Sequence, residues 1–308
     1  MTQDQSNRRA GLFFGLGAYL LWGVLPLYFK LLAMVPPIEI VANRILWSLI
    51  FLAILVTLWR RWGAVRAAVS SGRIMLILLL TSALIATNWL IYVWAVVRGH
   101  VLETSLGYYL NPLFNVLLGV VLLKERLSRA QVGAVLLAAS GVAVLAWGAA
   151  SGLWISLSLA FSFGLYGFIR KVAPVDALEG LSVETALLAP ASLFYLLWAH
   201  QGPVGLAAFG APTTFLLVLG GAVTAFPLLL FNAAAKRLPY STLGFLQYIA
   251  PSLQFLLAVL AFGEPFTPVH AICFSAIWAA LAIFAFEGLR LGRAHAKAAA
   301  PEILEPCP

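Results

Sequence analysis

Ten apolar runs, each near the length of a bilayer-crossing helix, fill most of this chain: 11–29, 38–59, 74–96, 103–123, 131–148, 152–169, 183–199, 213–235, 241–262 and 269–287. A membrane helix uses about 20 apolar residues, so only short connections remain within the 308 residues. Barrel strands are excluded, because they need segments of roughly ten residues with alternating polarity and these runs are longer and unalternating. Composition agrees: 63% of the side chains are hydrophobic and 10% charged, against about 25% charged in soluble domains. The polar sequence is too scarce to cover a water-facing surface, which disfavours soluble enzymes, nucleic-acid readers and disulfide-stapled secreted domains.

The net charge of +8 encodes orientation and points to no nucleic-acid partner. With the N-terminus inside, sixteen of the nineteen basic residues fall in cytoplasmic segments. They are Arg8, Arg9, Arg60, Arg61, Arg66, Arg73, Lys124, Arg126, Arg129, Arg170, Lys171, Lys236, Arg237, Arg290, Arg293 and Lys297. Lys30 and Arg98 lie outside and Arg44 within a span, so ten helices with both termini cytoplasmic satisfy the positive-inside rule at every loop. No signal-peptide cleavage motif follows the first span, which is read as a retained helix. Cys273 and Cys307 form neither a disulfide framework nor a metal cluster, and the sequence calls for no cofactor.

A shift of 139 residues aligns two stretches of the chain without a gap. Leu110-Asn111-Pro112 with Glu125 matches Ile249-Ala250-Pro251 with Glu264, the glutamate following the proline at an offset of thirteen in both. Arg98 pairs with Arg237, Tyr109 with Tyr248 and Asn115 with Gln254; at slightly larger offsets Trp22-Gly23 resembles Tyr166-Gly167, and Glu39 resembles Glu184. Each half holds five spans, an odd number, so the second copy enters the membrane from the opposite side, related to the first by an in-plane pseudo-two-fold axis. The expected organisation is a tail (1–9), one five-helix repeat (10–148), an inverted repeat (152–288) and an unpacked tail (289–308). Such a pair can open a shared site alternately to either side; the simpler alternative is that duplication only enlarged a stable bundle.

Polar side chains are costly in hydrocarbon, so their helical phase marks a face turned to protein or water. In the fourth span Tyr108, Asn111, Pro112 and Asn115 share such a face, as do Gln247, Pro251 and Gln254 in the ninth. Both helices carry a proline, which frees a carbonyl on the preceding turn that a neighbour must satisfy. These faces fit either a kinked helix packed by amides or a substrate contact. Arg44 lies about six residues, roughly 9 Å, into the second span. It either snorkels to the outer headgroups beside Glu39 or Glu103, or binds an anionic group of a substrate. Asn88 and Tyr92 sit one turn apart in the third span, and Trp22, Trp47 and Trp89 lie deep enough to wall a pocket. Asn232 with Pro227 adds a polar break in the eighth span. Glu125, Glu264, Glu39, Glu184 and Glu287 read as carboxylates near span ends, Lys30 as an anchor, and His270 as a solvated interfacial group. Gly133, Ala134, Ala138 and Gly141 form a small-residue stripe for close helix contact.

No H-E-x-x-H, G-x-S-x-G, P-loop or metal-spaced cluster is present, so neither catalysis nor ATP-powered transport has visible machinery. The motifs Ala18-Tyr19-Leu20-Leu21-Trp22-Gly23, Arg44-Ile45-Leu46-Trp47-Ser48, Asn88-Trp89-Leu90-Ile91-Tyr92, Leu106-Gly107-Tyr108-Tyr109-Leu110-Asn111-Pro112 and Ser241-Thr242-Leu243-Gly244-Phe245-Leu246-Gln247-Tyr248 occur in order. Together they closely resemble the bacterial RarD proteins of the EamA group, within the drug/metabolite transporter superfamily. The resemblance covers about residues 10–290. It implies ten helices in two inverted five-helix repeats, a central cavity and residence in the bacterial inner membrane. The expected function is transport of a small organic metabolite or drug-like molecule. Trp22, Arg44, Trp47, Asn88, Tyr92, Tyr108, Asn111, Gln247 and Tyr248 are the candidate substrate-binding residues, and the lipid bilayer and the small molecule the expected partners. The alternative is a non-transporting membrane protein that binds lipid or scaffolds a partner.

Overall fold

A computed structural model describes residues 3–123, 127–148, 150–199, 210–235, 237 and 246–298. Lys124, Glu125, Arg126, Lys236, 241–245 and Cys307 lie outside the described residues, as do the side chains of Arg8, Pro112, Asn115, Lys171, Asn232, Arg293 and Lys297. All regular structure among the described residues is helical. The helices are α1 (Gln3–Leu31), α2 (Pro37–Leu58), α3 (Trp62–Ser70), α4 (Gly72–Arg98), α5 (Val101–Leu123), α6 (Arg129–Gly148), α7 (Leu153–Val172), α8 (Ala177–Ala199), α9 (Gly210–Ala235), α10 (Ile249–Leu256, continued by a π-helical turn Leu257–Ala261) and α11 (Pro268–Ala298). Among the described residues seven are long and apolar enough to cross a bilayer, and two shorter apolar helices, Ile249–Ala261 and Pro268–Ile283, accompany them.

Two helices run past the expected bounds. α1 begins at Gln3 and α11 continues to Ala298, through much of the stretches read as tails. α8 begins six residues before the apolar run that marked it, because Glu179, Gly180 and Ser182 lower the hydropathy of its first turns. Short α3, unexpected from hydropathy, bridges α2 and α4. Ser71 starts α4 by accepting a hydrogen bond from the Ile74 N–H at 3.4 Å, and Gly99, left-handed at φ 82°, ends it.

The chain forms two compact units, Met1–Phe114 with Trp154–Pro265 and Asn115–Leu153 with Phe266–Pro308. Both draw on the two halves of the sequence. In the smaller unit α6 packs on α11, as its small-residue stripe led one to expect: Ala134 and Ala138 are buried, and a Cβ on Gly141 would fall 2.7 Å from Ala276 Cβ. Gly133 has nothing within 4 Å and takes no part.

In the larger unit α2 meets α9 backbone to backbone. A Cβ on Gly221 would lie 2.5 Å from the carbonyl carbon and oxygen of Trp47, and one on Gly220 would lie 2.9 Å from the Tyr28 hydroxyl. That hydroxyl donates to the Leu216 carbonyl at 2.7 Å, joining α1 to α9. Pro26 interrupts α1 and leaves the Trp22 carbonyl without its N–H partner one turn on. Gln254 of α10 donates Nε2 to that carbonyl at 3.1 Å. A face read as polar thus repairs a proline break in a neighbouring helix.

Candidate functional site

Arg44 is the centre of the site. Only 7% of it is exposed, so it does not snorkel to the headgroups. Its guanidinium lies over the Trp89 ring at 4.5 Å and the Phe29 ring at 5.7 Å. Nε donates to Thr224 Oγ1 at 2.5 Å, and that hydroxyl donates in turn to the Gly220 carbonyl at 2.7 Å. Nη1 is buried with no hydrogen-bond partner. The titratable groups near enough to influence Arg44 are the phenols of Tyr28, Tyr108 and Tyr92; among the described residues no carboxylate does so.

The phenols come from three helices. Tyr92 packs edge-on against Phe29 at 5.9 Å and lies 5.6 Å from the Tyr108 ring, and its buried hydroxyl has no partner. Asn88, one turn before Tyr92, donates Nδ2 to the Leu159 carbonyl at 3.2 Å and to Ser162 Oγ at 3.0 Å, while its Oδ1 accepts from the Tyr108 hydroxyl at 3.5 Å. Asn88 therefore ties α4 to α7 and orients Tyr108. The result is one buried cation in a shell of aromatic faces and neutral hydroxyls, a setting that would bind a polar or charged group strongly once water is excluded.

Of the nine residues expected from sequence, this cluster gathers Arg44, Asn88, Tyr92 and Tyr108. Asn111 is 1% exposed and neither end of its amide has a partner. Trp22 packs with Tyr19 and Phe231. Trp47 is half-buried, its backbone against Gly221. Tyr248 stacks on Tyr109, and Gln247 is half-buried beside it. Tyr28, Phe29, Thr224 and Ser162 were not expected. The Gly220-Gly221 pair one turn before Thr224 was the available signal. A groove of about 280 Å³ between α4 and α7, lined by Leu80, Leu84, Thr87, Ile91, Phe161 and Ser162, adjoins the cluster through Ser162.

Two carboxylates read as span-end groups have other work. Glu184 is fully buried; it accepts from Thr81 Oγ1 at 2.6 Å and the Tyr166 hydroxyl at 3.2 Å, and lies 3.6 Å from Arg170 Nε. Nearby, Arg61 bonds Glu179 and, at 2.6 Å, Asp176. Glu264 is not simply solvated: its two oxygens accept the N–H groups of Val101 and Leu102 at 2.9 and 2.8 Å, capping α5. Left-handed Gly263, at φ 64°, turns the chain there. His270 bonds Thr267 Oγ1 at 2.8 Å at the start of α11.

The EamA-like transporter family matches residues 9–147. The chain is 50% identical to the uncharacterized transporter PA0485 of Pseudomonas aeruginosa, over 92% of this chain and 96% of that protein. It is 41% identical to protein RarD of Escherichia coli, over 96% of this chain and all of that one. The chain is a RarD-like member of the EamA family. A solved crystal structure shares its fold, with TM-score 0.58, 24% identity and coverage of 90% of this chain and 97% of that one. As an EamA member it is a multi-pass membrane transporter of the drug/metabolite superfamily rather than an enzyme. Six residues of the Arg44 cluster, Tyr28, Phe29, Asn88, Trp89, Tyr92 and Tyr108, fall with Arg44 in the matched segment, whereas Thr224 and Ser162 lie outside it.

Proposed function

We propose that this transporter moves a small organic metabolite or drug-like molecule across the bacterial inner membrane by alternating access, without ATP. The observation that carries the reading is Arg44, a guanidinium kept from water inside apolar helices and surrounded by aromatic faces and hydroxyls. A charge in that position is expensive and marks a pathway or a ligand. Substrate is held by Arg44, Asn88, Tyr92 and Tyr108, with Trp22, Trp47, Asn111, Gln247 and Tyr248 lining its route. With Asn88 and Tyr92 at 1% and 2% exposure, this conformation is read as occluded.

Ten spans in two inverted repeats, 10–148 and 152–288, with both termini cytoplasmic, are the architecture proposed. Exchanged packing supports it. α2 of the first half bonds α9 of the second through Arg44 and Thr224, while α8, the counterpart of α2, bonds α4 through Glu184 and Thr81. Topology puts Arg61, Asp176 and Glu179 inside, and these three join. It puts Lys30, Val101 and Glu264 outside; Glu264 caps Val101, and Lys30 sits over Phe262 at 5.0 Å.

The test is flux. Proteoliposomes loaded with a bacterial metabolite extract are expected to release specific solutes, detected by mass spectrometry, and Arg44→Ala or Asn111→Ala is expected to reduce that release about tenfold or more. Absence of flux for every solute would refute the reading.

A further inference from the structure

We infer that the substrate is an organic monocarboxylate, held by Arg44 Nη1 and the Tyr92 hydroxyl; this rests on the transport reading above and adds the substrate's charge. A desolvated guanidinium is normally matched by a carboxylate, since Coulomb attraction then offsets the loss of hydration. Arg170 illustrates the usual solution: at 3.6 Å from Glu184 Oε1, it has its counter-ion within the protein. Arg44 has none among the described residues. It bonds a neutral threonine, faces two rings, and is surrounded by phenols.

Two donors in this shell are unused. Nη1 and the Tyr92 hydroxyl are both buried and both lack a partner, although Phe29 packs against the guanidinium on one side and against the Tyr92 ring on the other. Unmade hydrogen bonds in a dry site are costly, and a group that accepts from both removes the penalty twice. A carboxylate has two acceptor oxygens and one negative charge, equal and opposite to that of the site. An ammonium would be repelled by Arg44, and a neutral amide would leave the charge uncompensated. Trp89, Phe29 and Tyr108 supply apolar surface for the rest of the molecule.

The experiment uses the full chain in lipid nanodiscs and follows its melting temperature at fixed ionic strength. The probes are benzoate, phenylacetate, indole-3-acetate and hexanoate, each beside its carboxamide, with benzylamine and phenyl phosphate as further charge types. At least one acid is expected to raise the melting temperature while its amide does not. Arg44→Gln is expected to weaken that acid's binding about tenfold or more, and Arg44→Lys less. Tyr92→Phe, which removes a hydroxyl bonded to nothing in this structure, is expected to weaken it severalfold without lowering the melting temperature of the free protein. That variant keeps the idea testable if Arg44→Gln does not fold.

Equal protection by amides, stronger protection by benzylamine or phenyl phosphate, no protection by any acid, or unchanged acid binding in both Arg44→Gln and Tyr92→Phe would each overturn the inference. Counterflow in proteoliposomes separates the two claims. Movement of neutral or cationic solutes, with no acid bound, sinks the monocarboxylate and spares transport. Acid protection through Arg44 with no flux of any solute does the reverse.

Discussion

Tyr109 and Tyr248 stack with ring centroids 6.4 Å apart and planes 18° from parallel, and they occupy the same position in the two halves of the sequence, 139 residues apart. A two-fold axis carries each residue onto its counterpart, so the two can touch only close to the axis. Their contact, reinforced by the 2.6 Å bond between the Tyr109 hydroxyl and Ser252 Oγ, marks where such an axis would pass.

An in-plane axis makes a directional prediction. Met34, after α1, and Val172, at the end of α7, follow the first span of each half, and both are exposed. In a chain with Cys273 and Cys307 replaced, Met34→Cys is expected to react with an impermeant maleimide on intact spheroplasts, and Val172→Cys only after permeabilisation. Labelling of both from one side would mean that the halves enter the membrane in the same direction.

Gln254 repairs the carbonyl that Pro26 frees, so the two should be energetically coupled. Gln254→Leu leaves the Trp22 carbonyl buried and unpaired and is expected to cost about 1–3 kcal/mol. In a Pro26→Ala background the backbone supplies the missing N–H, and the same substitution is expected to cost measurably less. Equal costs in a denaturation double-mutant cycle would show no coupling.

The α2–α9 contact leaves no room for a methyl group at position 221. Gly221→Ala is expected to destabilise the protein by about 1–3 kcal/mol, because the atoms it meets are backbone and cannot rotate away. Gly133→Ala, with open space around it, is expected to stay within about 0.5 kcal/mol of the parent. Thermal melts in one detergent compare them.

Burial pushes the Glu264 carboxyl above its ordinary value, more than the two N–H donors lower it. The folded protein therefore holds this proton more tightly than the unfolded chain. The stability it contributes is complete below the ordinary carboxylate value and is lost as pH rises through the elevated one. Glu264→Gln is expected to flatten that part of the melting-temperature profile between acidic and neutral pH, and Glu264→Ala to lower stability by about 1 kcal/mol through loss of the cap.

Polarity within greasy runs made Arg44, Asn88, Tyr92 and Tyr108 legible, because any such residue needs a reason to be there. Thr224 gave no comparable signal: a threonine in a membrane helix can satisfy itself on its own turn, as Thr224 does at the Gly220 carbonyl. Nothing in the sequence distinguishes Tyr28 and Phe29 from the chain's other aromatic residues. Glu184 was placed near a span end because the polar first turns of α8 concealed where that helix begins. The capping role of Glu264 was illegible for another reason: its partners are backbone groups more than 160 residues away, and no local pattern encodes them.

The glycine-lined seam between α2 and α9 also bears on how the protein moves. Backbones in direct contact cannot slide past one another without collision, so these two helices travel as one strut although they come from different halves of the gene product. In the alternating access proposed above, the unit that swings is consequently a hybrid of the two sequence halves, and its hinges belong in the links that release such hybrids from each other rather than in the connection between the halves.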